Sequence, residues 1–312
     1  MKYKLRSLSF LLCIVVLMTC VCSCTSRSDS PTMWRVTDQS GNVMYLFGSI
    51  HIGYEEMYPL EQRITDAYDE CEYLAVEYDI VKQEKEAEKW SDAEKSMYLS
   101  QFLYTDGTTV KDHLSDETYA IAKQYLTKKG IYNESMDSLS AAYWNSIITS
   151  LLVDETKFSA DHGVDRYFLN SAHASGKKVL EVESEEFQRE LLLSFSDEYY
   201  ENSISQLFMQ KENLQTSYGY LIDVWQRGRD DILEFMSYDA EGMFSGIEQN
   251  GSESDVISKQ MLDERNINMA KVADEYIKDG KKVFFVVGAA HMCSETGVPA
   301  LLKDMGYTVE KV

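Results

Sequence analysis

The sequence predicts an α/β fold, with a central mixed sheet built from both ends of the chain and a large helical insertion at about residues 82–255. Three observations carry that expectation. The chain begins its patterned region as strand, strand, helix, strand. It closes on helix, strand, helix, strand. The stretch between is mostly helical in its apolar spacing, with no low-complexity block and no solenoid period.

The elements follow in order. Trp34–Thr37 and Val43–Phe47 flank Asp38-Gln-Ser-Gly-Asn42, a turn composition that predicts a hairpin. Between Pro59 and Glu72, Leu60, Ile64, Ala67 and Tyr68 recur at helical spacing, and Tyr73–Asp79 reads as a short strand. Ser115 is placed to cap a helix over Asp116–Lys129 that Gly130 stops. Further helices are expected over Leu139–Leu152, over Gly163–Ala174 with an end near Gly176, and from Glu185 onward, where Leu191, Leu192 and Phe195 share an apolar face. Lys178–Val182 is a brief strand inside this region, and Gln249–Asp255 reads as a loop. Met261–Lys278 is an expected helix and Lys282–Val287 a strand apolar enough to be buried on both faces. A helix over Val298–Met305 and a strand over Tyr307–Val312 complete the order.

Composition sets limits on function. With Lys+Arg 30 against Asp+Glu 52, the net charge is −22. Such a surface repels nucleic acid and anionic lipid heads, so no nucleic acid partner is expected. Runs such as Glu84–Glu94 read as solvated helix faces. The first residues form no part of the fold. Lys2, Lys4 and Arg6 precede an apolar run over Leu8–Cys22 that is too short for a confident span. It closes on Val21-Cys-Ser-Cys24, which resembles a bacterial lipobox with Cys24 as the lipidated (palmitate-bearing) first residue of the mature chain. An ordinary secretory leader or an uncleaved anchor is the alternative, and Cys20 and Cys22 are weaker lipidation candidates. The expected division is a lipoprotein signal peptide at 1–23, a polar tether at 24–32 and the α/β domain at 33–312. The protein is then extracytoplasmic and held at a bacterial cell membrane by its lipid, and its net charge becomes −25 once three leader cations are lost. Only Cys71 and Cys293 remain in the body, either paired or as two separate buried thiols.

The chemistry centres on a repeated device. Met44-Tyr-Leu-Phe-Gly-Ser-Ile-His51 and Lys282-Val-Phe-Phe-Val-Val-Gly-Ala-Ala-His291 each run an apolar strand into G-x-x-H. Gly48 and Gly288 permit a tight turn or close backbone approach. His51 and His291 then project at the strand-end edge, where open α/β sheets collect ligands. One such histidine is ordinarily a structural hydrogen-bonding residue. Two matched turns, with Glu77 ending a third apolar run at Leu74-Ala-Val76, argue for a shared site. His51, Glu77 and His291 would suit a divalent metal ion, Zn²⁺, Mn²⁺ or Co²⁺. Asp79 is expected on the same face as Glu77, at strand period two. Glu183, in Leu180-Glu-Val-Glu183, is a candidate general base or further ligand; the alternative is an acid at a helix N-terminus. Arg265, within Asp263-Glu-Arg-Asn266, could clamp a carboxylate or oxyanion, or form a structural ion pair. His113, His162 and His173 lack such partners and read as local structural residues.

These motifs resemble the TraB/PrgY/GumN family, which includes the animal TIKI proteins. The resemblance runs through Leu46–His51, Leu74–Glu77, Gly163-Val-Asp165, Leu180–Glu183, Trp225–Asp230, Glu264-Arg-Asn266, Val287–His291 and Gly306-Tyr307. It implies an α/β fold shared with erythromycin esterase-like and haem-binding ChaN-like proteins, and a metal-dependent hydrolase site. TIKI proteins are metalloproteases that trim the N-terminus of a secreted signal, and TraB-type members dampen a peptide pheromone. His51, Glu77 and His291 match the family's metal or catalytic positions, and Arg265 and Asn266 its RN pair. Ser294 stands where members usually carry glycine, which points to a differently shaped loop. The expected activity is therefore a membrane-tethered metallohydrolase acting on extracytoplasmic peptides or a small-molecule substrate. Glu183 or Asp79 would serve as proton acceptor and Arg265 would face the developing charge. A different class is a lipoprotein that sequesters a peptide or haem without turnover, with Tyr218, Tyr220, Met236 and Met243 lining the groove.

Overall fold

A computed structural model describes residues 30–238 and 259–312. The proposed leader, Cys24, Met243 and the Gln249–Asp255 loop lie outside the described residues. Six strands form one mixed sheet: β1 (Met33–Thr37), β2 (Val43–Ser49), β3 (Tyr73–Val76), β4 (Lys178–Glu181), β5 (Val283–Gly288) and β6 (Thr308–Lys311), in the order β4-β3-β5-β2-β1-β6. β4, β3, β5 and β2 are parallel, whereas β1 runs antiparallel to both β2 and β6. Both ends of the chain therefore supply the sheet, and its class is α/β as expected.

Local chemistry explains the elements. In the β1–β2 hairpin the Asp38 Oδ1 accepts from the backbone N–H groups of Ser40 and Asn42, each at 2.8 Å, and Gly41 takes a left-handed φ of 88°. β5 is buried on both faces. Phe284 and Val286 join Phe47, Leu74 and Val76 on one side, while Val283, Phe285 and Val287 join Met44, Leu46 and Ala75 on the other. Burying each such side chain contributes about 1.5–3 kcal/mol, which makes β5 the anchor of the sheet. The first face is covered by α1 (Gln62–Glu70), by the helix Val164–Ser175 and by the helix carrying Trp225; the second is covered by helices from the C-terminal segment.

The intervening helices are α2 (Ile80–Ala87), α3 (Asp92–Ser100), α4 (Val110–His113), α5 (Asp116–Lys128), α6 (Ala141–Val153), α7 (Val164–Ser175), α8 (Glu185–Leu193), α9 (Asp197–Met209), α10 (Leu214–Gln226) and α11 (Asp230–Tyr238). Two more, α12 (Glu264–Lys278) and α13 (Val298–Asp304), follow in the C-terminal segment. Ser115 caps α5 through the Thr118 N–H, and Gly176 ends α7 in the left-handed conformation. α4, α5, α6 and α9 enclose their own core, with Trp144, Ile148, Leu126 and Ile204 fully buried. The helical region is not uniform, because α7 and β4 return to the sheet: Phe168 packs under Phe47 and Phe284, and β4 pairs with β3.

The segment over Met261–Lys278 departs from a plain α-helix. Lys259–Asp263 forms a π-helical turn, and α12 starts only at Glu264. Cys71 and Cys293 are separate buried free thiols. Burial pushes the Cys71 thiol up to about 12, so the thiol stays protonated. Among the described residues no helix is long and apolar enough to cross a membrane.

Candidate functional site

Strand register builds the site. Ser49 pairs with Gly288 across β2 and β5, Val76 with Val286 across β3 and β5, and Val76 with Glu181 across β3 and β4. The four parallel strands thus end along one edge, followed at once by His51, Glu77, Glu183 and His291. Of the two motif glycines, Gly48 makes the close approach. A Cβ on Gly48 would lie 2.8 Å from the Ala289 Cα, so only glycine lets the turn after β5 cross the end of β2. The same Gly48 carbonyl accepts from Trp225 Nε1 at 2.8 Å, which ties α10 to this edge.

Gly288 marks the meeting point. A Cβ there would lie 3.4 Å from Glu77 Oε1, 3.5 Å from His291 Cδ2 and 3.8 Å from His51 Nε2. The Gly288 N–H itself donates to Glu77 Oε1 at 2.8 Å. The distant ends of the chain therefore bring both histidines and the glutamate to one place. They form part of the floor of a cavity of about 620 Å³, walled by apolar side chains of α9, α10 and α11 such as Leu207, Leu221 and Met236. A second cavity of about 220 Å³ shares Ser49, His51 and Glu77 with it and is lined by Tyr78, Asp165, Arg166 and Gln188.

Arg265 and Asn266, in the first turn of α12, organise the floor. The Arg265 Nε and Nη2 donate to the two Glu183 oxygens, each at 2.8 Å, and Nη2 also donates to Glu77 Oε2 at 2.7 Å. Nη1 donates to the Met261 carbonyl in the π-turn at 3.2 Å. Both readings of Arg265 therefore bear on its placement: it makes a buried ion pair and also lines the larger cavity. Glu183, whose side chain is 6% exposed, is held on Arg265 and also accepts from Gln188 Nε2 at 2.9 Å. Asn266 Oδ1 accepts from His291 Nδ1 at 2.6 Å, which leaves the lone pair of that ring on Nε2.

Electrostatics follow from this packing. Burial of Glu77 opposes its charge, but His291, His51 and Arg265 outweigh burial and hold its carboxyl well below the usual range. Burial pushes His291 below the ordinary histidine value, with the Glu77 charge opposing that shift. Although most of the His51 side chain is exposed, the part that is covered opposes a proton on its ring; Asp165 and then Glu77 reverse this and raise its affinity above the ordinary value. Two carboxylates face one guanidinium in the buried cluster, which leaves one negative charge for a cation or a protonated His51 to balance.

Asp79 goes elsewhere. β3 ends at Val76, so strand alternation does not extend to it. Instead Asp79 caps α2, accepting from the Lys82 N–H at 2.9 Å, and pairs with His173 Nε2 at 2.9 Å. It lines neither cavity. His113 stacks on Tyr104 and pairs with Asp197 at 2.8 Å, a local structural arrangement. Three residues near the centre escaped the sequence reading. Gln188 donates to Glu77 Oε2 at 2.7 Å as well as to Glu183, Ser49 Oγ is buried beside His51, and Asp165 Oδ2 lies 3.4 Å from His51 Nδ1. Gln188 sits in an acidic helix with no spacing that distinguishes it. Asp165 gave the one usable signal, as a motif acid just after Gly163.

The donor chemistry here fits a divalent ion. It offers two neutral or neutralisable imidazoles, a carboxylate held ionised, and a net negative charge behind them. Ser49 Oγ, Asp165 Oδ1 and Asn266 Nδ2 are buried polar atoms with no partner among the described residues, all around this centre. As the side chains stand, no group of three or more His, Cys, Asp or Glu among the described residues is set to hold a metal. His51, with 64% of its side chain exposed, is the member with room to move.

Fold and site together define an α/β protein whose parallel strand ends present paired G-x-x-H turns around a buried Glu–Arg–Glu cluster. The chain belongs to the TraB/PrgY/gumN family, whose model it matches over residues 32–311. No curated protein and no solved structure matches it.

Proposed function

We propose that the protein is a metal-dependent hydrolase, a peptidase tethered outside the cell by the lipid on Cys24. The observation that carries this reading is the convergence of His51 Nε2, Glu77 Oε1 and His291 around Gly288 on the floor of the larger cavity. His51, Glu77 and His291 would hold the ion, and when bound it would supply an activated water and a polarised carbonyl. The chain's own residues do the rest. Asn266 orients His291, and Gln188 and Arg265 fix the Glu77 carboxylate. Four of the five Arg265 N–H donors are engaged by Glu183, Glu77 and Met261, and the remaining Nη1–H is available to an oxyanion in the cavity it lines. Glu183 sits in a double hydrogen bond with Arg265, so its part is to hold that guanidinium, not to take a proton. The apolar walls exclude water and accept an apolar part of the substrate.

The test is metal content and hydrolysis of a peptide library by the purified full-length chain, compared with His51→Ala and His291→Ala. Loss of bound Mn²⁺, Co²⁺ or Zn²⁺ together with loss of cleavage in both variants is expected. Unchanged metal content in both would overturn the reading. A second reading, capture of a peptide or haem without turnover, draws on the apolar wall, where Tyr218 and Met236 line the cavity while Tyr220 does not. Recovery of intact peptide in stable complex would favour it.

A further inference from the structure

We propose that Asp165 is the positioning residue for His51, holding its Nδ1 so that Nε2 faces the centre; this rests on the hydrolase reading for its catalytic consequence. The backbone brings the two together. Gly53 and Ser159 exchange hydrogen bonds of 3.0 and 2.9 Å, the Val164 N–H donates to the Ile50 carbonyl at 2.9 Å, and Tyr58 OH donates to the His162 carbonyl at 2.7 Å. The start of α7 is thereby clasped to the Ile50–Gly53 turn. Gly163 makes the approach possible, because a Cβ there would lie 2.9 Å from both the His51 carbonyl oxygen and Asp165 Oδ1.

The side chains repeat a pattern found on the other histidine. His291 directs Nδ1 at an oxygen of Asn266, in the first turn of α12. His51 directs Nδ1 at an oxygen of Asp165, in the first turn of α7. Both rings then present their other side toward Gly288. An acid in the first turn of a helix also favours the helix dipole. That role does not account for Asp165 Oδ1, which is buried with no partner among the described residues. At 3.4 Å the Nδ1–Oδ2 contact is long, as catalytic contacts commonly are before a ligand tightens them.

Histidine-selective ¹⁵N NMR on the full-length chain reads the arrangement directly. At a pH alkaline enough to remove the second proton that Asp165 and Glu77 favour, wild-type His51 is expected to keep its remaining proton on Nδ1. Asp165→Ala should release it to a tautomer mixture, and Asp165→Glu should restore the Nδ1–H form. His113 and His173, which have their own acid partners, report whether the variant is folded. On the peptides cleaved by the wild type, Asp165→Ala should lower kcat by about 10–100-fold with KM little changed, the range typical of an outer-shell partner. An Nε2–H tautomer of His51 in the wild type would overturn the proposal, even if the alanine variant does not fold. So would His51 signals that are the same in Asp165→Ala and the wild type. Should the wild type cleave nothing with Mn²⁺, Co²⁺ or Zn²⁺, the hydrolase reading fails, and the tautomer still decides Asp165.

Discussion

At the residue scale, Arg265 and Ser294 show how one position can carry a disproportionate cost. Arg265, with 7% of its side chain exposed, separates Glu77 from Glu183. Arg265→Met would leave two buried carboxylates facing each other with no cation. Urea unfolding at neutral pH should show a loss of about 3–5 kcal/mol. The loss should shrink on acidification, because a proton on one carboxyl removes the repulsion that the arginine had offset. A Glu77→Gln change added to this background should return part of the stability; a further loss would show that the pair is not the source. Ser294 sits at φ 79°, the left-handed region, which costs a side-chain-bearing residue about 1–2 kcal/mol. The loop therefore keeps the backbone that glycine would adopt, contrary to the expectation of a different shape. Ser294→Gly should raise stability by up to about 1 kcal/mol, since glycine's greater freedom in the unfolded chain offsets part of the relief. A lower melting temperature in this variant would mean that the Ser294 and Thr296 hydroxyl contact outweighs the strain.

At the element scale, one acidic residue ties three parts of the helical subdomain together. Glu155, just past α6, bridges Lys129 at the end of α5 and Lys211 after α9, each at 2.8 Å. Those two hydrogen bonds, first Lys129 and then Lys211, hold its carboxyl down to about 2 against an ordinary 4.5. The folded value is the depressed one, so the stabilisation is full above about pH 4.5 and is lost as pH falls toward 2. Glu155→Gln should flatten the acid limb of the stability curve in that window, read by circular dichroism. An identical acid limb in the variant would remove Glu155 from the account. The elements themselves were mostly legible in the sequence. The hairpin, α5 with Ser115 and Gly130, α7 with Gly176, and the doubly buried β5 each rest on a local period or a cap. What escaped was the π-turn at Lys259–Asp263, which has no apolar period of its own, and the end of β3 at Val76, where an Asp79 helix cap supersedes strand alternation.

At the scale of the whole molecule, charge governs behaviour away from the site. A net charge of −22 spread over exposed helices opposes the compact state through mutual repulsion. Raising salt from about 10 mM to about 150 mM shortens the screening length from about 30 Å to about 8 Å. The melting temperature should rise over that range. A fall would mean that favourable ion pairs, such as Arg166 with Glu84, outweigh the repulsion.

The sequence by itself determined the class of fold, the order of strands and helices, the two G-x-x-H turns, and Glu77 as their acidic companion. The order of elements and the two turns depend on neighbours within a few residues, where chain geometry leaves little choice, and Glu77 stood out only by ending an apolar run of its own. The tertiary structure alone decided which side chains serve them. It sent Asp79 to a helix cap, locked Glu183 onto Arg265, and set Gln188 and Asp165 beside the centre. Such partnerships join residues tens to hundreds of positions apart. They are selected by which strand lies beside which and where each helix begins, and that information resides in the packed sheet, not in any local run of residues.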